Sequence, residues 1–402
     1  MSQKQENLIV VLDVGSAWTR VLAADLNEGA LRYRAHAVVE SAGMRKGLIA
    51  ELSPAARVVK MACDQTERMV RVNIDECVIG VGGPNVIGVN SDAGLDFGSR
   101  MREISREDVA IAVERARAKA LAPDREILHV LTREFMLDEQ PGIHDPIGMV
   151  GSKLRVELHI PTCAAGVMQS TVTCANRAGL EVTDTVFEAV ASAEATLTAD
   201  ERELGVCVLD IGAHSTELVV FFDGAVVHSG SIPFGGQHFT NDLAVMLQMP
   251  IAAAEQLKLR YGHAVVTAVP QLDEIEIRNP HPVMIRHRMV AEILEPRARE
   301  LFDMVRRSLR DGGVLGALGA GCVLTGGGAT LPGLLDVTES LLHVRARIGQ
   351  PVQLSRMPAE FTHPAYATVV GMLLYAHRKR VTKTAENNSL RGKLRAIFAA
   401  SL

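Results

Sequence analysis

The feature that most constrains this 402-residue chain is a pattern that occurs twice: LIVVLDVGSAWTRVLAADL from Leu8 and VCVLDIGAHSTELVVFFDG from Val206. Each copy is a β-branched apolar run, an Asp-x-Gly-small turn and a second apolar run, which predicts two strands joined tightly. The aspartates, Asp13 and Asp210, stand about half a chain apart, so two homologous halves facing each other are expected. An Asp at the end of a buried strand, followed by Gly and small hydroxyl residues, suits a nucleotide phosphate. Glycine lets backbone N–H groups approach the anion, the hydroxyl adds a donor, and the carboxylate holds Mg²⁺ through water. One such turn is more often an ordinary hairpin. Two matched turns together with VLTGGGATLPGL at 323–334 reverse that expectation. The run Gly326, Gly327, Gly328 lets backbone pack against a flat base or ribose, with a plain structural turn as the alternative. No GxxxxGK[ST] occurs, which excludes a Walker-type site.

Composition narrows the class. With 48% hydrophobic and 22% charged residues, the chain is an ordinary globular protein with room for two to four domains. A net charge of -5 supplies no domain-wide basic field, so nucleic acid is not an expected partner. The six cysteines lie far apart without a CxxC pair and read as reduced thiols. No HExxH and no cysteine spacing supports a metal or thiol-nucleophile site. The first residues, MSQKQENLIVVLDVG, carry neither the long apolar core nor the cleavage site of a signal peptide. Residues 312–335 are uncharged, but their many glycines read as strands and turns rather than a spanning helix.

Helices are expected between the hairpins. Ser105 opens SREDVAIAVERARAKA as N-cap, with Asp108 at the capping-box position and Ile104 as a staple. Val186–Leu197 is small and apolar, suited to close packing, and Met289–Leu309 is helical on both sides of Pro296, where a kink or a start is expected. Alternating segments around one helix between Pro84 and Ile160 predict a small inserted α+β subdomain.

The order of LDVGS, the helix with Glu188, LDIGAHST, AEQLK at 254–258 and LTGGG resembles the actin, sugar-kinase and heat-shock chaperone ATPase superfamily. More narrowly the chain resembles the FtsA family of actin-like bacterial cell-division proteins. That likeness runs nearly end to end through HDPIGMVGSKLRVELHI at 144–160, TADERELGVCVLDIG at 198–212, SIPFGGQHFTNDLA at 231–244 and HPAYATVVGMLLYA at 363–376.

The resemblance implies an α/β, bilobal, actin-like (ribonuclease H-like) fold with two duplicated nucleotide-binding halves. One lobe would take 1–83, 161–200 and 363–380, with 84–160 as the insertion. The other would take 201–241 and 315–362, with 242–314 as its outer subdomain. A linker at 381–388 and an amphipathic helix at 389–402 would follow. It also implies ATP and Mg²⁺ as cofactors. Asp13, Gly15 and Ser16 match the first phosphate loop, and Asp210, Gly212, Ser215 and Thr216 the second. Asp13 and Asp210 would hold Mg²⁺ through water, and Glu188 would lie near the attacking water, a structural helix carboxylate being its alternative. Glu255 and Lys258 match the adenosine-side pair and Gly326–Gly328 the adenosine loop. One departure stands out: the second loop of the family reads Asp-x-Gly-Gly-Gly-Thr, whereas Ala213 and His214 replace its last two glycines here. If that turn needs positive φ there, both residues strain it, and the imidazole occupies space near the γ-phosphate. ATP binding with slow or absent hydrolysis is therefore expected.

The implied partners are the FtsZ C-terminal peptide, further copies of the chain in a filament, later division proteins, and anionic lipids of the inner membrane's cytoplasmic face. Arg297 and Glu300 match the charged pair that contacts the peptide, and a solvated i,i+3 pair is the alternative. From His377 onward seven Lys or Arg face one acid, Glu386. Wound as a helix from Ser389, the tail puts Leu390, Leu394, Ile397 and Phe398 in one stripe about 100° wide, with Lys393 on one edge and Arg391 and Arg395 on the other. This is the pattern of an interfacial membrane helix; a docked or solvated tail is the alternative. A soluble phosphotransferase of the sugar-kinase branch and a PilM-like pilus-assembly homologue are the competing functions, and neither uses a lipid-seeking tail.

Overall fold

The computed structural model describes residues 8–27, 30–279 and 281–388. Both repeats form the expected antiparallel hairpins, Leu8–Val14 with Trp18–Asn27 and Val206–Ile211 with Thr216–Phe222. Around the first hairpin a five-stranded sheet runs in the order Glu181–Phe187, Glu76–Val81, Leu8–Val14, Trp18–Asn27, Ala30–Glu40. Its central strand is apolar on both faces because both are covered. Val10 and Leu12 pack against the Leu52–Val70 and Ala165–Arg177 helices, while Ile9 and Val11 pack against Glu188–Thr196 and Ala367–Asn388. The second hairpin repeats this logic. Cys207, Leu209 and Ile211 face a core shared with the Gly236–Met246, Ile251–Tyr261, His287–Asp311 and Leu334–Leu342 helices, and Val206 and Val208 face the other way.

What those two valines meet is the Glu188–Thr196 helix. Ala189, Val190 and Ala193 belong to the second lobe's core, and Ala191 and Ala195 to the first lobe's. The helix is thus wedged between the sheets, and its alanines allow that closeness. Its crossing with Ala367–Asn388 is tighter still: a side chain on Gly371 would collide with the Ala191 carbonyl. Ordinary core overpacking costs roughly 1–3 kcal/mol, and here a backbone carbonyl would have to move.

The inserted segment has its own core, in which Ala112 and Ala116 of the Arg106–Ala120 helix meet Phe135, Leu154, Val156, Leu158 and Ile160. The expected capping box is present, Ser105 accepting from the Asp108 N–H and Asp108 accepting from that of Ser105. This subdomain hangs on the second lobe. Ile87 pairs with Gly230, and buried His159 hydrogen-bonds Ser229 at 2.7 Å. Pro296 neither starts nor divides its helix, which is continuous over His287–Asp311 because one apolar stripe, from Val290 through Leu294, Ala298 and Leu301 to Leu309, runs past it. Residues 381–388, expected as a linker, are helical backbone at the end of Ala367–Asn388. The membrane-helix residues Leu390, Arg391, Lys393, Leu394, Arg395, Ile397 and Phe398 lie outside the described residues.

Candidate functional site

Between the lobes lies a cavity of about 800 Å³. Asp13, Gly15 and Ser16 line it from one hairpin turn and Asp210, Gly212 and Ser215 from the other; Glu188, Glu255, Lys258 and Gly326–Gly328 complete the set. Thr216 alone of the expected nucleotide residues is absent from the wall. Its buried hydroxyl donates to the Phe234 carbonyl at 2.8 Å, because strand alternation turns residue 216 away and residue 217 inward.

That inward residue is Glu217, and the hairpin register explains it. In each repeat the aspartate lies opposite the residue seven positions on: Asp13 faces Arg20, and Asp210 faces Glu217. The first pair is an ion bridge of 3.0 Å, Arg20 opposing the upward push of burial on the Asp13 pKa. The second pair sets two acids side by side. Asp210 accepts hydrogen bonds from Ser192 at 2.5 Å and Thr368 at 2.7 Å, which oppose a similar push. Glu217 accepts the Gly83 N–H at 2.5 Å through Oε1, while its buried Oε2 has no partner among the described residues. Burial first, then Asp210 and Asp13, push Glu217 up to about 8. Glu188 converges on the same spot, since a side chain on Gly82 would collide with both glutamates. Burial and then Glu217, Asp13 and Asp210 hold Glu188 well above the ordinary carboxylate range. Among the described residues, no three Asp, Glu, His or Cys side chains converge as direct metal ligands.

At the other end, Lys258 donates to Glu255 at 2.8 Å, to the Thr240 hydroxyl at 2.8 Å and to the Gly236 carbonyl at 3.0 Å. The triple-glycine loop spans the two ends: Gly328 lies near Gly236 and Lys258, while Gly326 adopts φ +81° and a side chain there would strike Asp210 and the Ile211 carbonyl, so the loop closes onto the strand end. Trp18, the single tryptophan, also lines the cavity. The second turn is free of the strain considered above: neither Ala213 nor His214 has positive φ. Gly212 N–H donates to Ser215 O, while the Gly212 and Ala213 carbonyls accept from Gly236 and Gln237 at the start of the next helix. Sequence reasoning missed Glu217, Arg20, Ser192, Thr368 and Trp18. The seven-residue offset in the repeats was the available signal for the first two; Ser192 and Thr368 reach Asp210 only through folding.

A family model described as "Cell division protein FtsA" matches residues 207–371, and one described as "SHS2 domain inserted in FTSA" matches 83–162. The cell division protein FtsA of Pseudomonas aeruginosa is 32% identical over 94% of this chain and 91% of its own length. That of Borreliella burgdorferi is 33% identical over 98% of both. The chain belongs to the FtsA family. Its fold is actin-like. A PilM–PilN type IV pilus biogenesis complex aligns with a TM-score of 0.66 at 17% identity, covering 91% of this chain and 98% of that one. MreB5 of Spiroplasma citri bound to AMPPNP aligns at 0.56 with 16% identity, covering 95% and 98%. The PilM likeness is one of fold, whereas the FtsA likeness extends through the sequence, including the inserted subdomain.

Glu217 sets a pH dependence for this FtsA chain. The ordinary value is 4.5 and the folded value about 8, so between them the folded state binds more protons than the unfolded one. Stability therefore falls as pH rises through that window and levels off above it. Glu217→Gln keeps an acceptor for Gly83 and removes the charge. Denaturant unfolding of the ligand-free protein is expected to show the variant more stable by about 1 kcal/mol or more at pH 8, and nearly equal to the parent at pH 4.5.

Proposed function

We propose that this FtsA chain binds Mg-ATP between its lobes, assembles into filaments and tethers FtsZ polymers to the cytoplasmic face of the inner membrane at the division site, where it recruits later division proteins. The observation that carries the nucleotide part is the pair of opposed Asp-Gly turns converging with the triple-glycine loop on one cavity. The cavity has features that fit the ligand. Only glycine at 326 lets this loop close onto Asp210 and the Ile211 carbonyl at the cavity wall, and His214 Nδ1 is a buried polar atom with no partner among the described residues. Ser16, Ser215 and the turn backbones would hold phosphate, Lys258 and Glu255 would flank the adenosine, and the Gly326–Gly328 loop would lie against it. Asp13 and Asp210 would receive water-bound Mg²⁺, whose charge would offset the crowded acids.

Hydrolysis is proposed to be slow. A general base works best when its pKa lies near the working pH and it is ionised. Glu188 is held above the ordinary carboxylate range by burial and by three neighbouring acids, which works against ionisation and so against its acting as a proton acceptor. On the partner side, Arg297 bonds Glu300 at 2.6 Å and, through two nitrogens, Asp242 at 2.5 and 2.8 Å. A peptide carboxylate competing for this arginine would meet a side chain already fixed in place. Arg297→Glu is expected to weaken binding of the FtsZ C-terminal peptide at least tenfold by calorimetry; unchanged affinity would remove this residue from the peptide site.

The membrane role rests on the basic, amphipathic sequence after Ser389. Flotation with anionic liposomes and Mg-ATP compares the full chain with one ending at Glu386. Only the full chain is expected to float, and less so at raised salt; equal behaviour of the two chains would refute the lipid anchor.

A further inference from the structure

The proposed nucleotide role absorbs most cavity residues but leaves His214 without a task. Its ring stands in the turn after Val206–Ile211, where the family's usual sequence has glycine, and it lines the cavity. The turn's carbonyls point away: those of Gly212 and Ala213 are taken by Gly236 and Gln237 at 2.9 and 2.7 Å. The N–H groups of Ala213 and His214 have no acceptor among the described residues. Across the cavity mouth stands the first lobe's Met44–Arg45/Leu48–Ile49 hairpin, and a β-carbon on Gly47 would lie 3.7 Å from the His214 Cβ and 3.1 Å from Pro84. His214 is therefore confined between the two lobes. Nδ1 is buried and, among the described residues, unpartnered. Burial, and after it the nearby His238, lower the ring's pKa, so the imidazole is neutral at pH 7 and able to donate from one nitrogen.

Position along the cavity says what the ring meets. Lys258 and Glu255 lie at the Gly328 end, where a β-carbon on Gly236 would come 3.7 Å from Lys258 Nζ and 3.9 Å from Gly328 Cα. His214 stands beside Gly47, which packs on Pro84 and Gly83, and the Gly83 N–H holds Glu217. A nucleotide with its base at the glycine loop and its chain between the two turns directs its last phosphate toward this end.

We propose that His214 is a specificity residue that donates a hydrogen bond to the terminal phosphate of a bound nucleoside triphosphate, so that the cleft distinguishes triphosphate from diphosphate by a side chain. The proposal rests on the nucleotide reading above. The ring replaces flexible glycine backbone with one donor held in place by the opposite lobe.

Calorimetric titration of the full chain with AMPPNP and with ADP, each with Mg²⁺, tests it on three proteins: the parent, His214→Gly and His214→Gln. His214→Gly is expected to lose about tenfold or more in AMPPNP affinity, the size of one charge-assisted hydrogen bond, while ADP affinity stays within twofold. His214→Gln, which keeps a side-chain N–H, is expected to recover part of that loss. Equal losses for both nucleotides would make His214 a structural turn residue, and no loss for either would make it a bystander; each result overturns the proposal. If the parent binds neither nucleotide, the nucleotide reading itself fails and the proposal falls with it. Unchanged ADP affinity in the variants also shows that they are folded.

Discussion

Four carboxyl groups, Asp13, Glu188, Asp210 and Glu217, crowd one end of a cleft between two sheets, and much of the surrounding structure compensates for that crowding. Like charges removed from water repel strongly, so each acid is either neutralised or given a dedicated donor. Arg20 serves Asp13, Ser192 and Thr368 serve Asp210, and the Gly83 N–H serves Glu217. Glu188 has its ionisation disfavoured by burial and by the neighbouring acids. A Mg²⁺ ion held through water by Asp13 and Asp210, as proposed, would bring positive charge to this acidic end of the cleft.

The compensation is supplied by packing. Ser192 sits on the alanine-rich helix wedged between the lobes, and Thr368 opens the helix that crosses it at Gly371. Both hydroxyls reach Asp210 because that crossing leaves no room for a side chain. Substitutions there would be felt at the site without touching a ligand. The inserted subdomain is joined by another route, strand pairing at Ile87–Gly230 and the buried His159–Ser229 bond, which ties it to the sheet that carries Asp210. The cleft and the insertion thus share one sheet.

Much of this was legible in the chain because the signals are local. The duplicated hairpins, the Ser105–Asp108 capping box and the small apolar helix all follow from residues within a few positions of each other. Long-range relations were not. Nothing near Ser192 or Thr368 announces Asp210, at sequence separations of 18 and 158. Thr216 was assigned to phosphate from its place in a motif, but strand alternation gives the inward position to Glu217. Pro296 does not start the helix, as one alternative had it, because a continuous apolar stripe runs past this local helix breaker. The anticipated strain at Ala213 and His214 is absent because that turn is built without left-handed backbone at either residue.

The central claim is that the cleft is a nucleotide site, and Trp18 reports on it directly. It is the only tryptophan, it is 45% exposed and it lines the cavity beside the first turn. Its fluorescence would be followed during titration with Mg-ATP, for the parent and for Gly327→Phe. At Gly327 a β-carbon meets nothing closer than 3.9 Å, so the backbone tolerates the substitution while the ring enters the part of the cavity proposed to hold adenosine. A saturable change in the parent that disappears in Gly327→Phe is the predicted result. A parent whose fluorescence is unmoved and whose thermal stability is unaltered by ATP would contradict the account.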